Sequence, residues 1–235
     1  MEISKQIALV TGANRGLGRH IAQELVSRGA KVYAGARNPE MIDLPGVIPI
    51  QIDVTDEKSI AKAAETANDV TLLINNAGSL TGASLLDGEM EKIRLEMDTH
   101  YFGTLSVIRA FASIIEKNGG GTILNILSVL SWVSSLNEGS AYPAAKSAEW
   151  SLTNSFRLEL ASKNIRVAGL HVGYMDTDMT AGVTAPKSKP ADIAKIAIDG
   201  IEADSYEIIA DDLSRNVQQR LSGGVKAIYQ QLFQQ

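Results

Sequence analysis

What most constrains this chain is an alternation that runs its whole length. Short, near-continuously apolar runs rich in β-branched residues are each followed by a longer stretch with helical periodicity. A strand covered on both faces loses its polar alternation, and parallel neighbours need a long crossover, usually a helix, to join them. Residues 7–10, 31–36, 47–54, 70–75, 121–127, 165–172 and 206–210 read as strands, and 19–28, 57–68, 89–117, 141–163 and 190–203 as helices. The pattern predicts an α/β fold, one doubly wound parallel sheet of about seven strands with helices on both faces. No Pro/Gly/Ser-rich linker or shift in composition divides the 235 residues, so a single domain over 1–235 is expected. The irregular stretch 180–189 reads as a mobile lid or an ordinary connection, and the Gln-rich end, 218–235, as an amphipathic helix or a frayed tail.

Composition removes several function classes. Lys and Arg number 22 against 27 Asp and Glu, a net charge of −5, so there is no cationic excess to hold a nucleic acid or an anionic membrane. The absence of Cys removes disulfides, thiolate catalysis and Cys-ligated metal, and three His are few for any other metal site. No run nears the ~20 apolar residues that cross a bilayer. The opening residues, Met1 to Gln6, lack a basic segment followed by a long apolar one, and a cytoplasmic location is expected.

Directly after the first strand comes Thr11-Gly12-Ala13-Asn14-Arg15-Gly16-Leu17-Gly18, opening a helix with Ile21, Ala22 and Leu25 on one face. Glycines let the backbone approach a diphosphate, and a helix N-terminus supplies free N–H groups and the positive end of a dipole. This strand–turn–helix setting is that of a Rossmann-type dinucleotide site. At the end of the second strand, Ala36-Arg37-Asn38 lacks the acid that bonds a ribose 2′-hydroxyl. Arg37 and Arg15 are instead placed to converge on a 2′-phosphate, which favours NADP(H) over NAD(H).

The G-x-x-x-G-x-G spacing is followed in order by Asn75-Asn76-Ala77-Gly78, by Ser128 after the fifth strand, and by Tyr142-x-x-x-Lys146 on the next helix. In these motifs, covering residues 6 to about 180, the chain resembles the short-chain dehydrogenase/reductase family. The resemblance implies hydride transfer between a nicotinamide and a carbonyl or secondary alcohol. Four residues apart on a helix, Tyr142 and Lys146 share a face, and a neighbouring cation favours the phenolate, making Tyr142 the general acid/base. By resemblance Lys146 also bonds the nicotinamide ribose, and Ser128 bonds the substrate oxygen, with Ser131 its rival one short turn on. Gly12, Asn14, Arg15, Gly16, Leu17 and Gly18 are expected around the diphosphate. Asp53 and Val54 are expected beside the adenine, Asp53 reading otherwise as a helix N-terminal acid. Asn75 is taken as the backbone-positioning asparagine, Ala77 and Gly78 as making room for the cofactor, and Thr177, with Thr180 as rival, as the carboxamide ligand.

Two positions depart from the family pattern. His100 stands where many members have an asparagine that completes a proton relay; it reads as a substitute, an impairment, or a histidine bonded to backbone. Val172 replaces a proline before Gly173, which should loosen the bend that carries Thr177. His20 and His171 read as ordinary helix and strand residues. Leu130, Trp132, Leu136 and Tyr174 are the candidate substrate-lining residues, and their apolar character suits a small-molecule aldehyde or ketone with a hydrocarbon body. The resemblance further implies a homodimer or homotetramer built on the helices at 101–117 and 141–163. The rival readings are a non-catalytic NADP(H)-sensing regulator and a dehydratase or epimerase on the same fold.

Overall fold

A computed structural model describes residues 1–135 and 139–233. Among these, seven strands form one sheet: β1 (Ile7–Thr11), β2 (Lys31–Ala36), β3 (Val47–Gln51), β4 (Leu72–Asn75), β5 (Gly121–Ile126), β6 (Ile165–His171) and β7 (Glu207–Ile209). Their order is β3-β2-β1-β4-β5-β6-β7, with every neighbouring pair parallel. Side chains alternate along each strand, so each face receives its own apolar set. Ala8, Val10, Leu72, Ile74 and Leu124 pack on one face with Leu17, Ile21 and Leu25 of α1 (Gly16–Ser27) and Ile193, Ile198 and Ile201 of α6 (Pro190–Glu202). Leu9, Leu73 and Ile123 turn to the other face. There they meet Ile60 of α2 (Glu57–Thr66), Val107, Phe111 and Ile115 of α4 (Thr104–Lys117), and Leu152 of α5 (Ala141–Glu159). At roughly 1.5–3 kcal/mol for each large side chain removed from water, these two layers supply the main driving force for the sheet.

The chain winds outward from β1 to β3, then returns to the other side of β1 with β4. The helices therefore diverge at the C-terminal ends of β1 and β4 and leave a crevice there, where open α/β sheets bind ligands. Residues 52–54, read as part of the third strand, instead begin a turn: Asp53 Oδ1 accepts from the Thr55 N–H at 3.0 Å. The helix expected over 89–117 is interrupted. It consists of α3 (Met90–Met97), a π-helical turn (Asp98–Gly103) and α4. Such wide turns insert a residue without breaking the helix and frequently mark functional sites.

The stretch at 180–189 is pinned where it leaves and rejoins the sheet region: Met175 bridges Ser188, and the Ser188 N–H donates to Tyr174 O at 2.8 Å. Past β7, α7 (Asp212–Arg220) is capped by Asp211, whose carboxylate accepts from the Ser214 N–H at 2.7 Å. Short helical turns follow, and the Tyr229 hydroxyl accepts from the Ser134 N–H at 2.7 Å, which folds the C-terminal segment back against the loop after β5. No helix among the described residues is long and apolar enough to cross a membrane.

Candidate active site

The glycine turn opens the crevice. Gly12 and Gly16 have φ of +67° and +54°, the left-handed region that favours glycine. Arg15 occupies the N-cap of α1 with no side-chain bond to the helix, so the first N–H groups are open to an anion, while buried Leu17 seats the helix on the sheet. Gly18 serves close approach, because a Cβ there would stand 2.4 Å from both Gly12 O and Asn76 Nδ2. Asn14 is half-buried in the same turn.

Asn76, not Asn75, ties this turn to β4. Its Nδ2 donates to Thr11 O at 2.9 Å and Gly12 O at 3.2 Å, and the Asn76 and Ala77 N–H groups both donate to Thr11 Oγ1, at 2.9 and 3.0 Å. Asn75 lies inside the sheet, donating to Asn125 Oδ1 at 2.8 Å, and Asn125 in turn donates to Thr153 Oγ1 at 2.8 Å. The alternation of side chains along β4 gives the reason, since consecutive asparagines point to opposite sides.

Beyond β2 and β3 a cleft of about 510 Å³ is lined by Arg37, Asn38, Gln51, Asp53, Lys58 and Lys62, with Val54 half-buried next in the chain. Asp56 caps α2, accepting from the Lys58 N–H at 2.9 Å, and lines the cleft together with Asp53. Arg37 has for cationic neighbours Lys58 and Lys62 rather than Arg15. Arg15 instead pairs with Asp178 at 3.5 Å, so the expected convergence of the two arginines does not occur. That ion pair and Thr177, whose Cγ2 would lie 3.6 Å from a Cβ on Gly16, bring the turn after β6 over the glycine turn. The Thr180 hydroxyl is engaged within its own loop, donating to Met175 O and, at 3.3 Å, to Thr177 O. Thr177 makes no such cap bond. Hydrogen bonds flank Val172 at this bend. Val172 O accepts from the Val129 N–H at 3.0 Å, and the Gly173 N–H donates to Asp211 Oδ2 at 2.6 Å, so hydrogen bonds hold what a proline ring would stiffen.

At the C-terminal ends of β4 and β5 the remaining candidates come together. Tyr142 is half-buried near the start of α5, and Lys146 one turn on is 5% exposed, its Nζ 5.9 Å from the phenol ring centre. Ser128 lies near enough to the phenol to act on it, pulling its proton affinity down. Its Oγ also accepts from the Leu130 N–H at 3.1 Å, while Ser131 Oγ accepts from the Ser128 N–H at 3.1 Å, so Ser131 buttresses the loop and Ser128 faces the tyrosine. His100, in the π-helical turn, meets the Tyr142 ring edge-on at 5.2 Å between centres. Gly78 is small for this reason, because a Cβ there would stand 2.8 Å from His100 Cε1.

The electrostatics differ from the simple cation–phenol pair. Burial pushes the Tyr142 phenol up from its ordinary value; Lys146 and Ser128 pull down, the Glu149 carboxylate pushes up again, and the net direction is upward. For Lys146, burial pulls down, but Glu149 and Tyr142 outweigh it and the ammonium is held above its usual range. Near neutral pH both groups are in their protonated forms, so the phenol is present as the acid.

Two carboxylates that sequence reasoning missed stand behind this pair. Glu149, three residues after Lys146, accepts from its Nζ at 2.7 Å, and Glu96, four before His100, lies 3.4 Å from its Nε2. Both spacings put charges on one helix face, so the signal was available. His171 is more than a strand residue: fully buried, it lies with Nδ1 3.2 Å from Ser128 O and Nε2 3.1 Å from Glu207, and its ring stacks on Trp132 at 3.7 Å. Trp132 is thereby committed to packing beside β6, and Leu130 is 8% exposed. Tyr174 is half-buried at the start of the pinned loop, and Leu136 lies outside the described residues.

The family model for short chain dehydrogenases matches residues 6–188. The chain belongs to the short-chain dehydrogenase family. A short-chain dehydrogenase from Burkholderia cenocepacia J2315, solved in complex with NADP, superposes with a TM-score of 0.94 at 36% identity over 100% of both chains. The trans-4-hydroxycyclohexanecarboxylate dehydrogenase of Sinomonas cyclohexanicum is 32% identical over 200 residues, 77% of this chain and 76% of its own. The oxidoreductase YusZ of Bacillus subtilis strain 168 is 32% identical over 205 residues, 81% and 72% respectively. This short-chain dehydrogenase is accordingly an oxidoreductase with a seven-stranded Rossmann-type sheet.

Proposed function

We propose that this short-chain dehydrogenase is an NADP(H)-dependent reductase of aldehydes or ketones with a hydrocarbon body, with Tyr142 as the proton donor. The observation that carries the reading is the Ser128–Tyr142–Lys146 group at the mouth of the crevice, its phenol held in the protonated form. A dinucleotide suits the residues around it: two left-handed glycines before an uncapped helix N-terminus for the diphosphate, and a polar cleft beyond β2, with Arg37 in its wall, for the adenosine end. Bound there, the nicotinamide would supply the hydride. Ser128 and Tyr142 then hydrogen-bond the substrate oxygen as negative charge develops on it, Tyr142 transfers its phenolic proton to that oxygen, and the Lys146 ammonium stabilises the phenolate left behind. In the reverse direction the phenolate accepts the alcohol proton.

Around one cleft the cations Arg37, Lys58 and Lys62 outnumber the acids Asp53 and Asp56, which favours a 2′-phosphate, and the NADP bound by the Burkholderia relative agrees in kind. A second copy of the chain is the natural cover for the groove of about 420 Å³ between the π-helical turn, α4 and α5, where Tyr101, Leu105, Leu152 and Phe156 are flanked by Arg109, Ser151, Ser155 and Glu159. Exposed Phe102, in the π-helical turn, and Leu158, on α5, add apolar surface to cover. The test of the function is NADPH oxidation by purified protein across a panel of aldehydes and ketones, with Tyr142→Phe as control. Turnover in the wild type that falls by at least about 100-fold in the variant supports the reading, in line with the usual contribution of a general acid. Tight NADPH binding with no turnover across the panel would favour a cofactor-sensing protein instead.

A further inference from the structure

A buried ionic row leads from Tyr142 into the protein, and its middle member has no part in the reaction as described so far. Lys146 Nζ donates to Ile126 O and to Glu149 Oε2, each at 2.7 Å. Glu149 is 2% exposed, and its Oε1 accepts from Thr104 Oγ1 at 3.2 Å. His100 Nδ1 stands 3.8 Å from Glu149 Oε2 and is a buried atom without a hydrogen-bond partner among the described residues. On its far side His100 Nε2 lies 2.9 Å from Ser79 O and 3.4 Å from Glu96 Oε2. The titratable groups facing this row are Glu96 from α3, His100 from the π-helical turn, and Tyr142, Lys146 and Glu149 from α5. Ser79, Thr81, Thr104, Ser128 and the Ile126 carbonyl complete its walls.

Packing does not call for a carboxylate at position 149. The neighbouring buried positions on that face of α5 are Ala145, Lys146, Leu152 and Thr153, and a buried ion pair such as Lys146–Glu149 commonly stabilises a fold no better than apolar residues of similar volume. What the carboxylate does is local. An ammonium has three donors; Ile126 O and Glu149 take two, so the direction of the third is fixed. It also sets one negative charge against Lys146 at the point where the lysine acts on the phenol.

We propose that Glu149 is a positioning residue of this active site, whose carboxylate orients the Lys146 ammonium and offsets its charge beside Tyr142. The proposal rests on the reading of Tyr142 as the acid and Lys146 as its partner. It accounts for much of the upward direction of Lys146, whose proton Glu149 holds against burial, and it adds to the upward push that burial gives Tyr142.

The test is Glu149→Gln in the full chain. The amide keeps the shape and can still accept from Lys146 and Thr104, so a thermal melt close to wild type is the folding check. Tyrosinate absorbance titrations without cofactor, each taken as the difference from the same protein carrying Tyr142→Phe, read Tyr142 alone. Removing a like charge beside the phenol lowers the Tyr142 midpoint by about one pH unit. The rising limb of alcohol oxidation moves to lower pH with it. Should Glu149→Gln fail to fold, Glu149→Asp, whose carboxylate is drawn back by one methylene, gives a smaller shift in the same direction. An unchanged or higher midpoint in the folded variant, with Tyr142→Phe inactive, overturns the role of Glu149. Full turnover in Tyr142→Phe overturns the reading beneath it.

Discussion

Glu96 offers a direct measure of how much of this fold's stability is tied to the active-site row. Its side chain is fully buried, accepts from Ser79 Oγ at 2.7 Å and from the Thr81 N–H, and lies 3.4 Å from His100. Burial pushes its carboxyl up, but His100, Thr81 and Ser79 outweigh that and bring it down from 4.5 to about 2. A depressed carboxyl binds its proton less readily in the folded chain than in the unfolded one. Its contribution is therefore complete above the unfolded value and is lost as pH falls from about 4.5 towards 2. The difference of about 2.5 units is worth roughly 3 kcal/mol at pH 7, and linkage leaves about 2 kcal/mol of it at pH 3.5.

Urea unfolding of wild type and Glu96→Gln at both pH values, compared as differences, isolates this carboxyl from the other acids. The gap between the proteins should be roughly 3 kcal/mol at pH 7 and narrow by about 1 kcal/mol at pH 3.5. A gap below about 0.5 kcal/mol at pH 7, or one that widens on acidification, would refute the assignment of these hydrogen bonds to a buried carboxylate.

The remaining predictions concern the site. Because the Tyr142 proton is held above the ordinary phenol value, carbonyl reduction should stay level through neutral pH and fall only as pH rises through that raised value, while alcohol oxidation rises over the same span; initial rates in both directions from pH 6 to 11 check this. Arg37→Ala should weaken NADPH binding by about 1.5–3 kcal/mol, as for a charged hydrogen bond, and leave NADH unchanged by fluorescence titration; equal loss for both removes the 2′-phosphate role. Gly18→Ala should cost about 1–3 kcal/mol of stability by urea unfolding, since its new methyl would meet the Gly12 carbonyl and the Asn76 amide at 2.4 Å, and should weaken both cofactors together.

The strands were readable because each lies between two helical layers, so apolar residues such as Leu9 and Val10 follow one another and hydrophobicity alone marks the run. Strand ends were less so. Residues 52–54 continue the apolar character of β3, but the Asp53 side chain accepts from Thr55 and turns the backbone, a local competition that periodicity does not register. The π-helical turn at Asp98–Gly103 escaped for a similar reason, since one added residue leaves the helical pattern on either side intact. In the site, residues defined by a motif and a helix spacing, Tyr142 and Lys146, lie together in the structure. Residues defined by what the fold brings alongside them do not follow from order in the chain: Arg15 faces Asp178 rather than Arg37, and Asn76 rather than Asn75 reaches the glycine turn.

The residues around His100 at the lysine end of the site form one physical unit. A histidine at position 100 needs the space that Gly78 leaves, since any Cβ there would meet its ring at 2.8 Å. Its Nε2 is taken up on the loop side by Ser79 and Glu96, which turns its unpartnered Nδ1 towards Glu149. Glu149 in turn is held by Lys146, and Lys146 by the carbonyl at the end of β5. A change at any one of these positions leaves a buried polar group facing a partner that no longer answers it, at a cost of about 1–3 kcal/mol or more for a charged group. Coupling of that size is visible in double-mutant cycles, and His100→Asn combined with Glu149→Gln should cost less than the sum of the two single changes.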